Sequence, residues 1–126
     1  MDERPALWVG HVVLASHDLN RSVEFYRSLG LRTFRDPGPD DVLIELEMRG
    51  GTHLVLVLDP GSKTQGRGAP FDLMVDDLEK THASMRERGI EVSPVERPEG
   101  DHAFFTFHDP DDSVVTVNDS HVEGVV

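Results

Sequence analysis

The sequence predicts an α+β domain made of two tandem β-α-β-β-β modules, each carrying a helix on one face of its sheet. Three observations predict it. Val12–Thr33 overlays Phe71–Val92 without a gap at an offset of 59 residues, with five identities in 22 positions: Leu14/Leu73, Asp18/Asp77, Leu19/Leu78, Arg27/Arg86 and Gly30/Gly89. These matches fall where a strand, a helix cap and a helix end each need a particular chemistry. Beyond the first repeat, apolar Val42, Ile44, Leu46 and Met48 alternate with Leu43, Glu45 and Glu47, the period of a strand with one covered face.

Trp8–Ser16 is β-rich and opens the first module. Asp18 then offers a side-chain cap to a helix in which Leu19, Val23, Tyr26 and Leu29 recur at helical spacing, and Gly30 closes it by tolerating positive φ. A strand at Leu31–Arg35, a Pro/Gly/Asp loop and the strand Val42–Met48 follow, and Gly50-Gly51 turns the chain into His53–Asp59. The second module repeats this order with strand Phe71–Val75, a helix from Asp77 to Gly89, and strands Ile90–Glu96, His102–His108 and Ser113–Asn118. The modules span residues 8–60 and 69–119, joined by a flexible linker at 61–68 and followed by a tail at 120–126. Gly-Ser-Lys-Thr in the linker matches part of a phosphate loop. It lacks the upstream glycine spacing and a following helix, so it is read as linker.

Composition excludes several function classes. With 126 residues the chain has enough length for one domain that buries a core without staples, and with no cysteine it has neither disulfides nor thiolate chemistry. No apolar run reaches membrane-span length and the N-terminus has no apolar signal region, so cytoplasmic residence and no membrane partner are expected. Twelve basic against 24 acidic residues, a net charge of -12, argue against nucleic acid as a partner. The same surplus favours solubility and attracts a cationic small molecule.

The doubled unit resembles the vicinal oxygen chelate superfamily, which includes glyoxalase I, extradiol dioxygenases, fosfomycin-resistance enzymes and bleomycin-resistance binding proteins. Gly10-His11-Val12 with Asp18-Leu19, Ser22 and Phe25-Tyr26 is similar to that family's first strand and helix, and Asp109-Pro110-Asp111 before Val114–Val117 to its last hairpin. The resemblance implies a cleft shared by the two modules and a homodimer. It also implies, for the enzymes, a divalent metal held by one residue each from the first and fourth strands of both modules. Those positions fall on His11, on Pro70, near Val57 and on Thr116, of which only His11 is a good ligand, so no metal is expected at the usual positions and no cofactor is expected. Asp112 stands where the family often has glycine.

Strand parity selects the side chains turned toward the cleft. If Val42, Ile44, Leu46 and Met48 pack on the helix, Glu45 and Glu47 face the cleft, and placing His11 inward carries Val13 and Ala15 with it. The ligand-binding candidates are His11, Glu47, His53, Asp72, His102, Phe104 and Thr116. A divalent metal in a shifted arrangement would use His11, His53 and Asp72, and proton transfer would pair His102 with Asp72 or Glu47. Asp72 stands out because an inward carboxylate among apolar neighbours is costly unless paired or solvated. Glu45 reads as a solvated strand face, His17, His82 and His108 as surface residues, and His121 as part of the tail. The expected function is capture of a small, cationic molecule in the manner of a bleomycin-resistance protein. The alternative is a metal-dependent lyase, isomerase or dioxygenase with a rearranged ligand set.

Overall fold

The computed structural model describes residues 5–120, so His121 lies outside the described residues. They divide into two compact units, one ending at Ser62 and the other beginning at Lys63. The first holds β1 (His11–Ser16), α1 (Leu19–Ser28), β2 (Arg32–Thr33), β3 (Leu43–Glu47) and β4 (His53–Leu58) in a mixed sheet of order β1-β4-β3-β2. The second holds β5 (Gly68–Val75), α2 (Leu78–Glu87), β6 (Phe104–His108) and β7 (Val114–Asp119), with sheet order β5-β7-β6. In both sheets the first and last strands pair in parallel, and the other pairings are antiparallel. Among the described residues no helix is long and apolar enough to cross a membrane.

The repeated residues do the same work in each unit. The Asp18 carboxylate accepts from Arg21 N–H at 3.2 Å and the Asp77 carboxylate from Lys80 N–H at 3.0 Å, each satisfying an otherwise orphaned donor in a first helical turn. Past the helix ends, Gly30 and Gly89 take φ of 104° and 77°, where a side chain would be strained. In the first unit Leu19, Val23 and Tyr26 of α1 are buried with Leu14, Ile44, Leu46, Leu54 and Leu56 of the sheet. The buried Ser16 and Ser22 hydroxyls satisfy one another at 2.6 Å. The second core is Leu78, Met85, Ala103, Phe105, Phe107, Val115 and Val117.

Several expected strands are shorter or absent. Ile90–Glu96 forms no strand, only the isolated bridges Val92 to Phe107 and Glu96 to Phe104, because Pro94 has no N–H to give to a ladder. The strand expected at Leu31–Arg35 shrinks to Arg32–Thr33 as the chain enters the Pro/Gly/Asp loop. Trp8 and Val9 are 71% and 58% exposed and precede β1, which starts at His11. Val42 is 65% exposed rather than packed on α1, since β3 begins one residue later. The segment expected to be a flexible linker is tied to the second unit. Thr64 is buried and donates its hydroxyl to Asp111 O at 2.6 Å, Gly66 N–H donates to Asp112 O at 2.8 Å, and β5 already begins at Gly68.

Candidate functional site

The alternation that buries one face of each sheet under its helix leaves the other face free of helix. In the first unit this open face carries His11, Val13 and Ala15 of β1, His53, Val55 and Val57 of β4, and Leu43, Glu45 and Glu47 of β3. The pairing His11↔His53↔Glu47 places three of the candidates in one row across the sheet. Glu45 sits opposite Val55, on the diagonal from His53, and its carboxylate lies 3.1 Å from His53 Nδ1. The rings of His11 and His53 meet edge to face at 5.5 Å, and Phe34 meets the His53 ring edge to face at 5.4 Å. Glu47 faces Arg32 at 3.6 Å. One ligand atom from each of His11, Glu45 and His53 lies within 4.8 Å of the other two. On the loop leading to β3, the Arg35 guanidinium, with help from the Gly38 N–H, holds the Asp41 carboxyl below the usual carboxylate range.

The open face of the second unit carries Pro70, Asp72 and Met74 of β5, Val114, Thr116 and Asn118 of β7, and Phe104 and Thr106 of β6. Asp72 faces Thr116, which faces Thr106, while Met74, Asn118 and Phe104 form the next row. Alternation separates Phe104 from Phe105 and Phe107, both of which are fully buried. Asp72 is exposed, and the Asn118 amide donates to its carboxylate at 3.4 Å. Water therefore solvates it, and the desolvation argument that singled it out does not apply. His102 is not Asp72's partner. Its Nδ1 donates to Asp119 O at 2.9 Å, and His102 stands four residues from Thr106, roughly 13 Å along the sheet from the Asp72 row.

Strand register fixes the four metal positions implied by the resemblance. Val13 faces Val55 and its repeat counterpart Asp72 faces Thr116, so the first-unit counterpart of Thr116 is Val55, not Val57. The offset grows from 59 (72 − 13) to 61 (116 − 55) because the connections between the paired strands differ by two residues. The corrected set is His11, Val55, Pro70 and Thr116, with one good donor, and does not fit a four-ligand divalent site. Of the shifted set, His11 and His53 lie together within the first unit, with Glu45 beside them, and Asp72 belongs to the second unit.

Three histidines expected at the surface have defined partners. His17 Nε2 donates to Ser62 O at 2.7 Å and His82 Nε2 to Ser93 O at 2.8 Å, and the His82 ring packs edge to face on Phe105. His108 has Glu91 at 2.9 Å from Nε2 and Asp112 beside Nδ1. Asp112 takes the glycine-favoured φ of 61°, the one positive φ at a non-glycine among the described residues. Its turn is built by the buried Asp109, whose carboxylate accepts from Asp111 N–H at 2.9 Å and Ser113 N–H at 3.0 Å. Glu45 is the residue that sequence reasoning undervalued. Its signal was parity, since it shares the open side of β3 with Glu47, but the diagonal that brings it to His53 depends on strand register.

The fold is similar to that of several solved proteins. A member of the Glyoxalase/bleomycin resistance protein/dioxygenase superfamily from Sphaerobacter thermophilus DSM 20745 matches with a TM-score of 0.76 at 21% identity, over 90% of this chain and 98% of that one. An antibiotic binding protein from Streptomyces sp. CB03234 matches with a TM-score of 0.70 at 26% identity, over 92% of this chain and 98% of that one. A bleomycin-binding protein complexed with bleomycin matches with a TM-score of 0.71 at 22% identity, over 92% of this chain and all of that one, 100%. No curated protein matches the chain. The family model described as Glyoxalase/Bleomycin resistance protein/Dioxygenase superfamily matches residues 8–117, and with the doubled unit, its caps and its two helix-backed sheets, this places the chain within that superfamily.

Proposed function

We propose that the chain is a small-molecule binding protein of the bleomycin-resistance type, which captures a cationic ligand against its helix-free sheet faces without converting it. One observation carries the reading: those faces combine exposed apolar side chains, Val13, Leu43 and Met74, with the carboxylates of Glu45, Glu47 and Asp72. Apolar area supplies affinity and a carboxylate orients a cation, the usual division of labour in a binding site. The poor donors at the implied metal positions favour capture over metal-dependent conversion. The proposed working form is a cytoplasmic homodimer, in which a second copy covers sheet edges such as β1 and β5.

A second reading, a metal-dependent lyase, isomerase or dioxygenase with a rearranged ligand set, draws on the grouping of His11, Glu45 and His53. Ligand capture is tested by a thermal-shift screen of cationic glycopeptides and related natural products, followed by calorimetry on Asp72→Asn. That variant should lose roughly 1–3 kcal/mol of binding, the worth of a charge-assisted hydrogen bond. Its melting temperature should hold, because Asp72 is exposed. Unchanged affinity would assign Asp72 no part in binding, and recovery of a chemically altered compound would replace capture by catalysis.

A further inference from the structure

We propose that His11, Glu45 and His53 form a divalent transition-metal site contained within the first unit. The three side chains come from three neighbouring strands of one sheet, β1, β3 and β4, and rise on its open face. His11 and His53 are direct cross-strand partners, which sets their spacing by backbone register rather than by side-chain freedom. Ligand atoms bound to one tetrahedral ion at about 2.1 Å stand roughly 3.4 Å apart. The Glu45 carboxylate and His53 Nδ1 are 3.1 Å apart, and the one atom that each of the three residues offers falls within 4.8 Å of the others, so side-chain rotation alone closes the set. Phe34, packed on the His53 ring, limits its rotation on one side.

The other grouping of this kind, Glu91, His108 and Asp112, is as close but offers a single imidazole. There the carboxylates flank opposite nitrogens of a single imidazole, Glu91 at Nε2 and Asp112 at Nδ1, so an ion bound to either nitrogen turns away from one carboxylate. Two imidazoles and one carboxylate suit zinc, cobalt, nickel, manganese or iron, whereas magnesium and calcium prefer oxygen donors throughout. The exposed His11 edge leaves a route for the ion and free coordination positions on the side facing solvent. This site goes beyond the capture reading and does not rest on it, since metal is titrated with no organic ligand present.

The test uses the full chain without an affinity tag, stripped by chelator and dialysed. Zinc is titrated by calorimetry, and cobalt by its visible absorbance, with magnesium as control. The expected result is one equivalent of zinc and of cobalt per chain, a tetrahedral or five-coordinate cobalt spectrum, and no heat with magnesium. Glu45→Gln and His53→Ala should each weaken zinc by more than the roughly 10–100-fold that loss of a mere supporting partner costs. His108→Ala should leave zinc affinity unchanged. Circular dichroism checks that each variant folds, and His53→Gln replaces His53→Ala if the latter does not. No saturable uptake by the wild-type chain, or uptake retained in folded Glu45→Gln and His53 variants, would overturn the proposal.

Discussion

Asp112 shows what a single residue contributes when its backbone leaves the common regions. Its φ of 61° is readily adopted by glycine and tolerated by aspartate, whose short polar side chain stabilises the left-handed conformation locally. Here that side chain also reaches His108. Asp112→Gly and Asp112→Ala both remove the contact, but alanine adds a Cβ penalty that glycine avoids. Asp112→Ala should therefore be the less stable of the two by about 1 kcal/mol, measured from urea midpoints at constant slope. Equal midpoints would mean that the turn relaxes out of the left-handed region. The departure from glycine at this position was plain in the sequence, while the positive φ that aspartate accepts there was not. The candidate site divides in the same way. The open-face positions of Phe104 and Thr116 followed from alternation, because one slip of register would expose Phe105, Phe107, Val115 or Val117. That of His53 did not, since its strand, HLVLVL, is apolar on both faces, and His11 was placed inward by the resemblance. The contact between Glu45 and His53 did not follow, since it joins two strands whose register the sequence leaves open.

At the scale of elements, the two helices were readable because local chemistry alone defines them. Asp18 and Asp77 cap them, and glycines in the left-handed region follow them. Asp18→Ala and Asp77→Ala should each cost about 1 kcal/mol in chemical denaturation, and the double variant about their sum, because the caps belong to different units. A cap variant with no loss would show that water replaces the carboxylate at that helix end. The strands were less readable. Ile90–Glu96 has strand-like residues, yet Pro94 interrupts the ladder and leaves two isolated bridges, a case in which one missing donor outweighs β propensity. Arg32–Thr33 stays short because the Pro/Gly/Asp loop takes over the chain, and Trp8 and Val9 lie outside β1 despite their β preference. The repeat itself survived as a strict offset only through the helix. Beyond it the connections differ by two residues, which moved the counterpart of Thr116 from Val57 to Val55.

For the whole molecule, the proposed capture of a cation should depend on ionic strength, because the net charge is -12. Raising salt from about 0.1 M to about 1 M shortens the screening length from roughly 10 to 3 Å, so affinity should fall, with the association rate carrying much of the change. Affinity independent of salt would assign recognition to apolar contact alone. The proposed dimer is checked by light scattering, where twice the 14.0 kDa chain mass is expected. Capture on the helix-free sheet faces is tested most directly by amide chemical-shift mapping of the isotope-labelled protein with a cationic glycopeptide drawn from the thermal-shift screen. The expected perturbations fall on open-face strand residues, around Val13, His53 and Val55 in the first unit or around Asp72 and Thr116 in the second, and leave α1 and α2 unmoved. Perturbations concentrated on α1 and α2, or in the groove between His82, Arg86 and Val95 on the helix side of the second unit, would contradict it.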